Sequence, residues 1–161
     1  MSEALQEHGL LKDLQNEIVL RLQEDPQLFG PPRILVIPED FGDIEAEIKK
    51  GLGPVGSNGG CIIVHTPEIV PQDQRRPFIL SMQISIECVE HARINRASTG
   101  NQIRAMRLGE IVHILLRNWS SALGWSPFQR TTWQSGKTPQ GWLGDRLTFA
   151  ADTVYDVTEV P

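Results

Sequence analysis

The chain has 161 residues (18.0 kDa), with 40% hydrophobic and 22% charged residues, a composition that fits one folded domain and excludes disorder or a membrane-embedded chain. No apolar stretch approaches the roughly 18 residues of a spanning helix, and the acidic, amphipathic start lacks the basic opening and apolar centre of a signal peptide. The net charge of −5 argues against a uniformly basic nucleic-acid-binding surface. The charge is uneven, with eleven acids and five bases in residues 1–60 and nine acids and ten bases in residues 61–161. That asymmetry suits a subunit whose acidic face meets a basic face of its neighbour, although a solvated helix face is the commoner cause.

Leu11, Leu14, Ile18 and Leu22 recur at spacings of three and four and predict an amphipathic opening helix that stops at Asp25-Pro26. Gly30-Pro31-Pro32 then breaks the chain before Arg33–Pro38, whose Ile34 to Ile37 run is too short for a helix and reads as a buried strand. Asp43 to Gly51 reads as a short helix, and Glu39, Asp40 and Asp43 as an acidic group that could bind a cation but more simply complements the helix N-terminal dipole. Gly53 to Gly60 is a loop by composition, and Cys61–His65 a second strand. A proline-rich, charged loop from Pro67 to Pro77 follows.

The clearest signal comes next. From Phe78 to Val89, the residues Leu80, Met82, Ile84, Ile86 and Cys88 alternate with Ser81, Gln83, Ser85 and Glu87, which predicts a long strand with one apolar and one mostly polar face. Gln102–Trp119 reads as a helix with Leu108, Ile111, Val112, Leu115 and Trp119 inward and Arg104, Arg107, Glu110 and Arg117 outward. Phe128–Trp133 reads as a strand, Ser135–Asp145 as a long turn-rich loop, and Arg146–Val157 as a closing strand. The expected fold is α+β, one domain over residues 1–161, with helices packed on one side of a mainly antiparallel sheet.

The sequence offers little organised chemistry. Ser135-Gly136-Lys137-Thr138 resembles the end of a phosphate-binding loop, but Thr131 stands where the first glycine belongs, and Pro139 and Gly141 oppose the helix that must follow. A turn with a solvated lysine is the simpler reading. Cys61 shares a strand face with His65, and Cys88 lies near His91, yet no paired close spacing announces a zinc site, and both cysteines read as buried thiols. No nucleophile carries a supporting signature, so neither a catalytic residue nor a metal ligand is assigned and no cofactor is expected. Trp142, in a loop flanked by glycine and proline, is the best candidate for a partner contact, with packing against its own strand pair the equal alternative.

The element order, the segment Ile84-Ser85-Ile86-Glu87-Cys88-Val89-Glu90-His91-Ala92-Arg93-Ile94-Asn95 and the helix end Leu115-Leu116-Arg117-Asn118-Trp119 resemble the tail terminator and tail-completion proteins of long-tailed bacteriophages. The resemblance covers most of the chain and rests on arrangement, since that family has no short catalytic motif. It implies a non-enzymatic virion protein, made in the host bacterial cytoplasm. Such a protein forms a sixfold ring on the head-proximal end of the tail tube, stops its growth and joins it to the head-tail connector or neck protein. Partners are then further copies of itself, the tube protein and the connector, with no membrane and no sequence-specific nucleic acid. Candidate contact residues are Val55, Ser57 and Asn58 in the first loop and Lys137 and Trp142 in the last, facing tube or connector. Arg93, Arg96 and Asn101 are placed against the ring neighbour. Other readings from different classes are another completion or baseplate-proximal tail protein, a cytoplasmic adaptor, and a small metal- or nucleotide-dependent enzyme.

Overall fold

The computed structural model describes residues 10–29, 34–40, 60–70, 79–90, 105–137 and 143–154. The first helix, α1 (Leu10–Gln23), forms where the apolar spacing requires it, and Leu14, Ile18, Val19 and Leu22 are buried along one side. One polar residue joins them. Gln15 is fully buried and donates its amide to the Val64 carbonyl at 2.9 Å, which removes the cost of burying it. Pro26 starts the single-turn helix α2 (Pro26–Phe29), and Ile34 then donates its N–H to Leu28 O at 3.0 Å, leading the chain into the sheet.

Among the described residues six strands make one sheet: β1 (Leu35–Pro38), β2 (Gly60–Val64), β3 (Glu68–Ile69), β4 (Ile79–Glu90), β5 (Gln129–Lys137) and β6 (Leu143–Val154). The order is β1-β2-β4-β6-β5, and β3 continues the β2 side of β4. Only β1 and β2 run parallel, from Leu35↔Cys61 to Pro38↔Val64; the other pairings are antiparallel. The fold is α+β as the sequence implies.

The long alternating segment becomes β4, and its apolar residues Leu80, Met82, Ile84, Ile86 and Cys88 are buried. The β6 residues Leu147, Phe149 and Ala151 join Met82 to Cys88 on the inner face, under Leu14, Ile18 and Leu22 of α1 and Leu108, Ile111, Val112 and Leu116 of α3 (Ala105–Leu116). Each fully buried side chain of this size stabilises the fold by about 1.5–3 kcal/mol. Trp119, Phe128 and Phe149 form an aromatic run, with ring centroids 5.2 Å and 6.4 Å apart in turn.

The third helix ends at Leu116, earlier than its apolar stripe suggests. Asn118 there takes a left-handed φ of 58° and donates its N–H to Phe128 O at 2.8 Å, so the backbone leaves the helix before Trp119. At its start, the buried carboxylate of Glu90, the last residue of β4, accepts the Ala105 N–H at 3.0 Å. A strand end thus caps the helix that follows it.

Two parts of the sequence reading change. Ser135 to Lys137 and Leu143 to Asp145 are not loop but strand, pairing as Ser135↔Asp145, Gly136↔Gly144 and Lys137↔Leu143. As the border of the sheet, β5 needs no apolar alternation, and this concealed it. Lys137 therefore lies at a strand end rather than in a solvated turn. The other change is that the Pro67–Pro77 segment includes β3. The helix expected over residues 43–51 lies outside the described residues.

Candidate functional site

The sheet face opposite the described helices divides into two zones. At the β1–β2 side Ile37, Cys61, Ile63 and Val89 form a small buried apolar cluster. Toward β6 the face is polar, because β4 and β6 place their hydrophilic residues directly across from each other. Ser81 pairs with Asp152, Ser85 with Thr148 and Glu87 with Arg146 in the strand register, and each pair is bonded by its side chains, at 2.6, 3.1 and 3.2 Å.

His65, just past the end of β2, stands where the two zones meet. Its Nδ1 lies 2.6 Å from Oε2 of Glu39, and its Nε2 lies 3.0 Å from Oε1 of Glu87, close enough for an ion pair but outside hydrogen-bond geometry. The other oxygen of Glu39 accepts the Thr66 N–H at 2.8 Å, while Arg146 reaches the same Glu87 oxygen as His65. A neutral imidazole would point a lone pair at one carboxylate or the other, so this arrangement favours the imidazolium.

The electrostatics agree. Burial opposes charge on His65, but Glu87 and then Glu39 outweigh it and hold the imidazole above its ordinary value. Burial likewise raises Glu39, yet the Thr66 N–H and hydroxyl and the His65 charge bring it below the usual carboxylate range. For Glu87 the contact with His65 is the largest influence and acts downward, against burial and the neighbouring Glu39. Around the cluster lies an open polar cleft of about 500 Å³, also lined by Glu68, Gln83, Ser85, Thr131, Thr132 and Thr148.

Glu39 and Asp40 have partners across the fold, while the helix whose dipole they are expected to complement lies outside the described residues. They form the turn after β1, where Glu39 N–H bonds Val64 O at 2.9 Å and Asp40 takes Lys12 of α1 at 2.8 Å. One residue of the turn reaches the outer face and the next reaches the helical layer.

Neither cysteine is in a disulfide, and both are buried. Cys61 belongs to the outer apolar cluster and Cys88 to the inner core, so they point to opposite sides of the sheet and cannot share a metal or a disulfide. Cys61 and His65 do have the same strand parity, as the sequence suggested, but His65 meets carboxylates instead of sulfur. Among the described residues no group of three His, Cys, Asp or Glu side chains is arranged to hold a metal ion. No described helix is long and apolar enough to cross a membrane.

Of the contact residues expected from sequence, Val55, Ser57, Asn58, Arg93, Arg96, Asn101 and Trp142 lie outside the described residues. Lys137 is the last residue of β5, opposite Leu143. The His65 cluster was not foreseen. Its one sequence-level trace is the polar face of β4, which marks Glu87 as a residue that must find partners across the sheet. Searches against family models and against curated proteins find no match to this chain.

Proposed function

We propose that this chain is a structural, non-catalytic subunit of a long-tailed phage tail, of the terminator type. On this reading it closes into a sixfold ring on the head-proximal end of the tail tube, ends tube growth and meets the head-tail connector. It would be made in the host cytoplasm and reside in the virion tail. The observation that supports the reading most directly is the unlikeness of the two borders of the sheet. On one side, β1 is short and apolar, with Val36 and Ile37 buried. On the other, β5 is long and polar, with Gln129, Arg130, Thr131, Thr132, Gln134 and Ser135 exposed.

A cyclic ring larger than a dimer requires heterologous contacts, in which one surface of each subunit meets a different surface of the next. Two unlike borders on opposite sides of one sheet supply such a pair. The bulge in β5 between Arg130 and Thr132 discourages the alternative, a symmetric pairing of two β5 edges. Leu20, Met106 and Ile114, exposed on the helical layer, add apolar surface for a neighbour.

The test combines native mass spectrometry of purified protein with analysis of particles from a phage that encodes it. The expected results are a closed ring, free or docked on tails, and tails of uncontrolled length or without heads when the gene is deleted. Monomers in solution together with absence from purified particles would reject the proposal.

A further inference from the structure

We propose that Glu39, His65, Glu87 and Arg146 form a proton-operated clasp, in which one proton on His65 holds the turn after β1 against the outer face of the sheet. The inference is independent of the ring reading. It rests on how the four groups meet. His65 is the only cation among the described residues that touches both Glu39 and Glu87, through different ring nitrogens at 2.6 and 3.0 Å. Arg146 reaches Glu87 alone, at 3.2 Å.

Among the described residues, the charged groups that line the cleft beside His65 are Glu39 from the turn after β1, Glu68 from β3 and Arg146 from β6, Glu87 of β4 meets the His65 ring from beneath the lining, and β5 contributes the neutral Thr131 and Thr132. With the proton in place, three carboxylates face two cations. Without it they face one, and that one is already committed to Glu87. Loss of the proton therefore acts first on Glu39. Its second oxygen holds the Thr66 N–H, so the carboxylate cannot turn away without breaking the bond to the backbone beyond β2. Asp40 is tied separately to Lys12 of α1, away from the His65 proton, so the turn is released on the sheet side while the helix side stays anchored.

Two local reporters follow, the His65 ring itself and the Thr66 amide. In the intact wild-type protein, NMR is expected to show His65 titrating above the ordinary imidazole value. Amide exchange at Thr66, corrected for its intrinsic pH dependence, should lose protection across that titration, because the bound proton and the closed clasp are linked. Ile84, in the middle of β4, should keep its protection. In Glu87→Gln the His65 titration should move down. A His65 that titrates at or below the ordinary value in wild type, or a Thr66 protection that stays level across the titration, would overturn the clasp. So would equal losses at Thr66 and Ile84, which would mean global unfolding.

Discussion

Gly109 of α3 faces Trp133 of β5 so closely that a Cβ at position 109 would stand 3.0 Å from Trp133 Cζ2 and 3.4 Å from Leu147 Cδ1. The same indole donates its Nε1–H to the buried Asp145 carboxylate at 2.9 Å, which limits its freedom to retreat. Alanine gains about 1 kcal/mol of helix propensity over glycine. Overpacking costs about 1–3 kcal/mol. Gly109→Ala is therefore expected to lower stability by up to about 2 kcal/mol on these two figures, the indole's tether to Asp145 deciding how much. Urea denaturation checks this, and a Gly109→Ala variant as stable as wild type would show that the indole can move aside.

Glu90 and Ala105 make the link between β4 and α3. Glu90→Ala leaves the Ala105 N–H without its acceptor in a buried setting, for an expected loss of about 1–3 kcal/mol. Glu90→Gln keeps an acceptor but gives up the charge at the helix N-terminus, and should lose less. Thermal melts followed by circular dichroism would rank the two, and equal losses would point to the carboxylate charge as the main contribution.

The pH dependence has two limbs. His65 sits above its ordinary value of 6.5 in the folded state, so its contribution to stability is complete below that value and fades as pH rises through the folded value. Glu39 and Glu87 sit below 4.5, so theirs is complete above that value and fades as pH falls through their folded values. Both contributions are whole between about 4.5 and 6.5, the ordinary values of the two residue types. His65→Gln should flatten the alkaline limb of stability against pH. Denaturation midpoints of both proteins across the range would measure it, and an unchanged alkaline limb would assign it to other groups.

Cys61 and Cys88 should react with a thiol reagent only when the fold opens. Both have no exposed surface, and burial, with Asp145 next in effect, pushes the Cys88 thiol well up. The expected native rate is far below that of a free cysteine and should approach it in denaturant. Rapid labelling of folded protein would contradict the geometry. Replacing both with alanine should lower stability but leave any self-association intact.

The inner core was legible in the sequence because its signal is local. Leu80 to Cys88 alternate within one segment, and Leu14, Ile18 and Leu22 repeat within another, so each buried face could be read from its own spacing. The hairpin of β5 and β6 was harder, since Gln134, Ser135, Gly136 and Gly144 have the composition of a loop and become strand through pairing. The His65 cluster was beyond reach for a different reason. Glu39, His65, Glu87 and Arg146 come from four separated segments, and only the combined register of β1, β2, β4 and β6, through Pro38↔Val64, Val64↔Ile86 and Glu87↔Arg146, brings them together. No periodicity within one segment records that register.

The position of β6 in the sheet also bears on how the chain reaches its fold. The last described strand lies between β4 and β5, and its pairing with β4 runs from Ile79↔Val154 to Glu90↔Leu143, between stretches distant in sequence. Until β6 docks, Met82, Ile84, Ile86 and Cys88 lack the cover of Leu147, Phe149 and Ala151, and one long side of β4 is open to any strand that drifts by. Non-local pairing of this kind slows folding and leaves the unfinished sheet exposed to aggregation. During synthesis the sheet's central seam must wait for residues 143–154 to emerge, so this protein is one whose yield should depend on conditions that protect the nascent chain, such as low temperature or a holding chaperone.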